Sequence, residues 1–254
     1  MTLQGCGTLS GGRKWGQDAT LTPGWDRVKD SLVKATLSPE TWGPIAGAMV
    51  LQIDDMDKRI SDWASDHNPV FGSQDNAGKW TGYLGNTSEV IYYTTVIATP
   101  SGDDPSKWVI AKLKGLAVGL AAREITLQST HLIKKASGRT RPDESNNLSF
   151  PSSAASGGSV FNTLARRNLD SISLSPNNRM FADIGIVSIA VGTGWARVEA
   201  KKHYPSDVLV GYALGHFLSA FINDSFLGVD NEKTPQLIVE PSRKGAWVGL
   251  CWTF

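Results

Sequence analysis

Cysteine is scarce in this sequence: 254 residues contain two, Cys6 and Cys251. At most one disulfide can therefore form within the chain, and spacing alone does not show whether the two residues pair.

Net charge is also nearly absent, because 25 lysine and arginine residues face 24 aspartate and glutamate residues. A chain without a global field of one sign has no general attraction for nucleic acid or for an anionic membrane. We therefore expect no nucleic-acid partner, and any basic cluster has to be argued locally.

Long apolar runs are missing as well. A membrane-spanning helix needs about 20 predominantly apolar residues. The run IGIVSIAVGTGWA, between Asp183 and Arg197, has 13 residues, and VLVGYALGHFLSAFIN has 16 with His216 inside. We interpret both as buried core helices of a soluble protein.

The N-terminal segment LQGC resembles a bacterial lipoprotein cleavage box, at which the cysteine is lipidated. The positive and apolar regions of a signal peptide do not precede it. Two interpretations stay open: the sequence starts near the mature end of a lipoprotein and Cys6 carries the lipid, or Cys6 is an ordinary residue.

Helical spacing dominates the remainder of the chain, and no low-complexity linker divides it. We expect an extended tail over 1–24, one all-α domain over 25–225, and an extension over 226–254. The domain is predicted to be a bundle of roughly eight or more helices. In it, Ser38 would cap a helix that starts at Pro39, and the longest helix would run through the segment DPSKWVIAKLKGLAVGLAAREITLQSTHLIKKASG.

The last twenty residues, PQLIVEPSRKGAWVGLCWTF, predict two short strands about a turn. Apolar residues alternate along the second strand: Val248, Leu250, Trp252 and Phe254. This ending resembles the closing strand of an outer-membrane barrel, but one hairpin cannot close a barrel, whose edges must be paired in lipid. We favour a hairpin packed on the helical body.

Three segments concentrate groups that bind anions. In the first, Lys134 and Arg141 lie where a helix gives way to a loop, with Arg139 between them and Pro142 after them. An arginine fork and a compact ammonium suit a phosphate-like group. The alternative is that these cations only offset a helix dipole.

The second segment, FPSSAASGGS, predicts a loop whose backbone N–H groups open a helix. A helix N-terminus binds anions, and the hydroxyl of Ser152 would add a donor. The alternative is an ordinary capped helix after a flexible loop.

The third segment contains Arg197, His203 and Asp207. A helix starting at Pro205 would let Asp207 accept from one imidazole nitrogen of His203 and leave the other nitrogen free as a nucleophile. Taken alone, such a pair is more often structural.

In this order and spacing, the three segments resemble the signature of the superfamily of type-2 phosphatidic acid phosphatases and vanadium haloperoxidases. The resemblance covers 120–222 and implies the helical bundle of that type. It implies that four side chains bind the oxygens of phosphate or vanadate: Lys134, Arg141, Ser152 and Arg197. It also implies a backbone amide contact from Ser153, a phosphohistidine at His203, and Asp207 as the residue that orients His203. His67, His131 and His216 match no position of the signature.

Two positions depart from that signature. Ala196 replaces a frequent serine. Ala154 stands where the family has the histidine that protonates the leaving oxygen, and loss of a general acid costs about 10²- to 10⁴-fold in rate. We favour Ala154 as an introduced substitution in an otherwise intact enzyme; the competing hypothesis is a natural pseudoenzyme that binds a phosphorylated ligand.

The resemblance implies a phosphoric ester hydrolase that acts on a phosphomonoester or diphosphate without a metal cofactor. We expect it in the periplasm or secreted, or bound to the outer membrane through Cys6, which would favour a lipid-linked substrate. The alternatives are a vanadium-dependent haloperoxidase, for which vanadate is a cofactor rather than an inhibitor, and a non-catalytic phospholigand-binding lipoprotein. A lipid groove could use the N-terminal tryptophans, but we favour core packing for them: Trp15, Trp25, Trp42, Trp63 and Trp80.

Overall fold

The computed structural model describes residues 8–9 and 12–228 in full, and the backbone alone of 236–242 and 245–251. Eight α-helices account for most of the described chain, so the all-α prediction is confirmed. Their bounds are α1 Trp25–Leu37, α2 Pro39–Val50, α3 Met56–His67, α4 Gln74–Ala98, α5 Pro105–Ser137, α6 Ser153–Ser171, α7 Pro176–Glu199 and α8 Pro205–Phe226. A 3₁₀ turn, Ile53–Asp55, precedes α3.

After the helices, the backbone of β1 (Gln236–Ser242) pairs antiparallel with β2 (Gly245–Cys251), and Ser242 stands opposite Gly245. The side chains of both strands lie outside the described residues, as do Cys6, Trp252 and Phe254. Packing of the hairpin on the helical body and lipidation at Cys6 therefore stay predictions.

Local sequence signals explain where several helices begin and end. Helix α2 starts at Pro39 with Ser38 at the cap position, as predicted, but the Ser38 side chain makes no capping hydrogen bond. Asp104 caps α5 by accepting from the amides of Ser106 and Lys107, which satisfies two donors that a helix start leaves free. At the other end of α5, Gly138 has a φ of 57°, a left-handed conformation that glycine adopts without strain.

Helix α6 lies at the centre of the bundle and packs against α4, α5, α7 and α8. Two glycines bring α8 close to α6. A Cβ at Gly211 would lie 2.7 Å from the carbonyl oxygen of Ser152, and one at Gly215 would lie 2.3 Å from that of Ser156. Close contact of the two backbones therefore positions the start of α6 beside the start of α8.

The N-terminal tail contributes to the core. Trp15 is 2% exposed and packs with Tyr92 and Leu164, and its ring occupies the space that a Cβ at Gly115 would fill. Further along, the amide of Thr20 donates to the carbonyl oxygen of Phe226 (2.9 Å), which holds the tail against the end of α8.

The prediction of core packing for the other N-terminal tryptophans is wrong. Trp25 is 76% exposed, and the remaining three are also exposed: Trp42, Trp63 and Trp80. Their helices turn small residues inward instead, for example Ala35 in α1 and Ala64 in α3.

Helix α7 also departs from the prediction of a buried core helix. It has exposed apolar residues along its outer face: Met180, Phe181, Ile184, Val187 and Val191. Within the fully described part of the chain it is the one helix long and apolar enough to cross a membrane, and 28% of its apolar segment is buried. By contrast α8, which contains the other apolar run, is largely buried, as predicted.

Candidate active site

The fold brings the three segments predicted to bind an anion to one end of the bundle, where α5 and α7 end and α6 and α8 begin. The amide of Ser152 donates to the carbonyl oxygen of Asp207 (2.9 Å), which joins the second segment to the third. The hydroxyl of Ser149 donates to Asp207 Oδ2 (2.5 Å). The amide of His203 donates to the carbonyl oxygen of Arg197 (3.3 Å), which fixes the loop between α7 and α8.

Lys134 lies in the last turn of α5 and is buried. Its Nζ donates to the carbonyl oxygens of Leu148 (2.6 Å) and Ser149 (3.2 Å). Burial lowers the pKa of Lys134 to about 8, and the charges of Arg141 and Arg197 lower it further. The lysine thus holds the loop that leads to α6 and remains mostly charged near neutral pH.

Arg141 and Arg197 form a cluster of like charge with Lys134. Burial, followed by repulsion from Arg141, lowers the pKa of Arg197 to about 10. The Nε atoms of both arginines are buried without a hydrogen-bond partner in the described residues. Because a buried donor without an acceptor is costly, these two groups are poised for an external acceptor, and the local charge favours an anion.

The second segment forms the start of α6. Ser152 is buried and precedes the helix as its cap, with its Oγ accepting from the amide of Ala155 (3.4 Å). Ser153 and Ala154 lie in the first turn and are half-buried. The first turn of a helix presents N–H groups without intrahelical acceptors, so this end of α6 adds donors and positive potential.

His203 is 2% exposed, and its Nδ1 lies 3.6 Å from Asp207 Oδ2. That separation is longer than a hydrogen bond, and Nδ1 is buried without a partner in the described residues. Burial lowers the pKa of His203 to about 4, and the charges of Arg197 and Lys134 act in the same direction. The imidazole is therefore neutral at neutral pH, the form in which a ring nitrogen is nucleophilic.

Asp207 lies in the first turn of α8 and is fully buried. Its Oδ2 accepts from the amide of Tyr204 (2.9 Å) as well as from Ser149. Burial alone would raise the pKa of Asp207, but the neighbouring groups, His203 and Ser149 among them, hold it below its usual range. The carboxylate is thus ionised and fixed in orientation.

Two residues beside this site were not assigned a role from the sequence. Arg139 Nη1 donates to Asp207 Oδ1 (2.7 Å) and to Ser206 Oγ (2.8 Å). Its Nη2 donates to Asp57 Oδ2 (2.7 Å). Arg139 falls within the first segment, where its position was a usable signal, whereas Asp57 belongs to α3 and no motif points to it.

The three unassigned histidines differ in burial. His216 is buried, with its two ring nitrogens 2.9 Å from Ser38 Oγ and 3.0 Å from Thr163 Oγ1, while His67 and His131 are exposed. Among the residues that the structure describes, no group of three or more His, Cys, Asp or Glu side chains could hold a metal ion.

A scan against protein-family models, a search of curated proteins and a search of solved structures each found no match to this chain.

Proposed function

We propose that this protein is a phosphatase of the type-2 phosphatidic acid phosphatase and vanadium haloperoxidase superfamily, acting through a phosphohistidine at His203. The observation that carries the proposal is the placement of a neutral, buried His203, in contact with Asp207, beside the cation cluster of Lys134, Arg141 and Arg197. An anion cradle next to an unprotonated nucleophile suits phosphoryl transfer.

In the binding step, the cations and the first turn of α6 would hold the non-bridging oxygens of a phosphoryl group. Arg141 and Arg197 supply guanidinium donors, and Lys134 supplies charge while its ammonium anchors the loop. Helix dipole and guanidinium groups stabilise the charge that develops on phosphorus-bound oxygens in the transition state. No metal is required for this stabilisation.

In the chemical step, the free ring nitrogen of His203 would donate its lone pair to phosphorus while the bond from phosphorus to the leaving oxygen breaks. Asp207 would accept a hydrogen bond from Nδ1–H and stabilise the positive charge that forms on the ring. Water would then attack phosphorus while the bond from phosphorus to the His203 nitrogen breaks and its electron pair returns to that nitrogen. The proton of the attacking water would pass to bulk solvent, which leaves phosphate and neutral His203.

The leaving oxygen needs a proton, and Ala154 has none to give. Ala154 lies in the first turn of α6 and is half-buried, and the resemblance implies that a histidine at this position protonates the leaving group. In this chain the proton must come from water, and we expect turnover to be about 10²- to 10⁴-fold slower than with an acid at that position.

Phosphate release from lipid phosphates, diphosphates and a soluble aryl phosphate tests the proposal. We expect Ala154→His to raise the rate at least about a hundredfold, and Ala154→His combined with His203→Ala to abolish it. The best substrate of the panel would indicate the substrate class, with a lipid-linked ester expected. An Ala154→His variant that gains no activity on any substrate contradicts the phosphatase assignment.

A second candidate, a binding protein for a phosphorylated ligand in the cell envelope, is favoured by one observation, the alanine at position 154. It predicts tight phosphate-ester binding with no gain from Ala154→His. A vanadium haloperoxidase would instead require vanadate for halide oxidation, whereas vanadate should inhibit the phosphatase. Periplasmic or outer-membrane location and lipidation at Cys6 are proposed with the phosphatase.

A further inference from the structure

Asp57 is a buried carboxylate that the proposed reaction does not use. It lies in the first turn of α3 and is 4% exposed. Its Oδ1 accepts from the amide of Ser206 (2.8 Å) and its Oδ2 from the hydroxyl of Ser206 (2.5 Å). A carboxylate at the start of α8 is favourable for the dipole of that helix, and it ties α3 to the helix that carries Asp207.

Arg139 connects Asp57 to the candidate site. Its guanidinium bridges two carboxylates, with Nη2 on Asp57 and Nη1 on Asp207. The Arg139 Cζ lies 4.2 Å from the ring centroid of Tyr204, so the guanidinium is also covered on one face. A planar fork held at both ends and stacked on a ring has little freedom to turn.

The charge count gives this bridge a consequence for His203. The bridge of one guanidinium and two carboxylates carries by itself one net negative charge, which offsets part of the repulsion that Arg197 and Lys134 exert on a charged His203. If Asp57 were neutral, Arg139 would cancel the charge of Asp207 alone. The positive charge that forms on His203 when it bonds to phosphorus or vanadium would then lose its stabilising partner.

We propose that Asp57 is a positioning residue for the Asp207–His203 pair and acts through Arg139 and Ser206. The inference rests on the proposed function, since it assigns Asp57 a part in the reactivity of the same histidine. Asp57 binds one nitrogen of the Arg139 guanidinium and offsets its charge. The position of Asp207 is thereby fixed, and its negative charge remains available to stabilise His203.

Calorimetry of orthovanadate and inorganic phosphate binding tests this role of Asp57, in the chain that keeps Ala154. Phosphate contacts only the cradle. Vanadate also accepts a lone pair from a histidine nitrogen, with no bond broken, and its affinity therefore reports on His203. We expect Asp57→Asn to weaken vanadate binding about tenfold or more, as loss of a supporting partner does at metal sites, while phosphate affinity stays within about twofold.

Asp62→Asn is the matched control, since Asp62 lies on the same helix, is partly exposed, and pairs with Lys58 (2.7 Å). Both anions should bind it as they bind the parent. Arg139→Lys is the second variant: it keeps the charge but cannot bridge two carboxylates, and it should lose vanadate affinity in the same selective way. If Asp57→Asn fails to fold, Arg139→Lys tests the same bridge in its place.

The outcomes separate the two proposals. If the parent binds neither anion, the proposed phosphatase site fails, and this inference with it. If the parent binds both and Asp57→Asn keeps its vanadate affinity, Asp57 does not position His203. Equal weakening of both anions would show a purely structural role for Asp57, which also overturns the inference.

Discussion

At the scale of single residues, the site holds a histidine where protonation is unfavourable. The pKa of His203 is lowered from 6.5 to about 4, first by burial and then by Arg197 and Lys134. As pH falls from 6.5 to 4, His203 binds a proton in the unfolded chain but not in the folded chain. The free energy of unfolding therefore decreases over this interval.

We predict that His203→Gln makes the free energy of unfolding less dependent on pH. Relative to the parent, the variant should gain stability as pH falls, by about 3 kcal/mol near pH 4. Urea unfolding at a series of pH values measures the effect. The matched control is His131→Gln, at an exposed position, which should leave the parent slope unchanged. A His203→Gln variant as sensitive to acid as the parent contradicts the low pKa. Burial also lowers the pKa of His216 to about 4. This histidine accounts for the pH dependence of stability that remains in the His203→Gln variant.

The motif residues of the candidate site could be proposed from the sequence because the signature of the resemblance itself specifies their order and spacing. It did not predict the contact between Arg139 and Asp57, which joins residues 82 positions apart. A carboxylate on a separate helix has no local sequence feature that distinguishes it from a solvated one. Its burial arises only when α3 packs near α8.

At the scale of elements, α4 is a helix whose own sequence gives weak helix signals. It contains Gly78, Gly82 and Gly85, followed by several threonines, all of which have low helix propensity. Its stability comes from packing against α6 and α7, a tertiary effect that periodicity over a short segment does not reveal.

Contact between α6 and α8 gives a test at the same scale. Gly211→Ala would place a methyl group 2.7 Å from the Ser152 carbonyl oxygen, and we predict a loss of stability of about 1–3 kcal/mol from overpacking. Gly185→Ala in α7 is the control, because nothing lies within 4 Å of its Cβ position. There alanine should stabilise by up to about 1 kcal/mol. Denaturation midpoints compare the two, and equal effects would contradict the close approach of α8 to α6.

At the scale of the whole molecule, burial does not follow residue size. The described part of the N-terminal tail, residues 8–9 and 12–24, contains no helix or strand but supplies the fully buried Trp15, whereas regular helices leave Trp25 and Trp42 exposed. Composition and periodicity predicted an all-α body, but which tryptophan enters the core depends on small residues such as Gly115 elsewhere in the chain.

We predict that Trp15→Ala lowers the free energy of unfolding by about 3–5 kcal/mol, the usual cost of emptying a core site of this size. Trp25→Ala, the control, should change it by less than about 0.5 kcal/mol, as surface substitutions do. Urea unfolding followed by circular dichroism gives both values. A Trp15→Ala variant as stable as the control would show that the tail is not part of the core.

The bond between Thr20 and Phe226 has a practical consequence for handling the protein. It holds the chain before α1 and the chain after α8 at the same end of the bundle. The candidate site lies at the opposite end of α8, whose 22 residues span about 33 Å. A protein attached to a support through the surface around Thr20 and Phe226 would therefore present the candidate site away from that support.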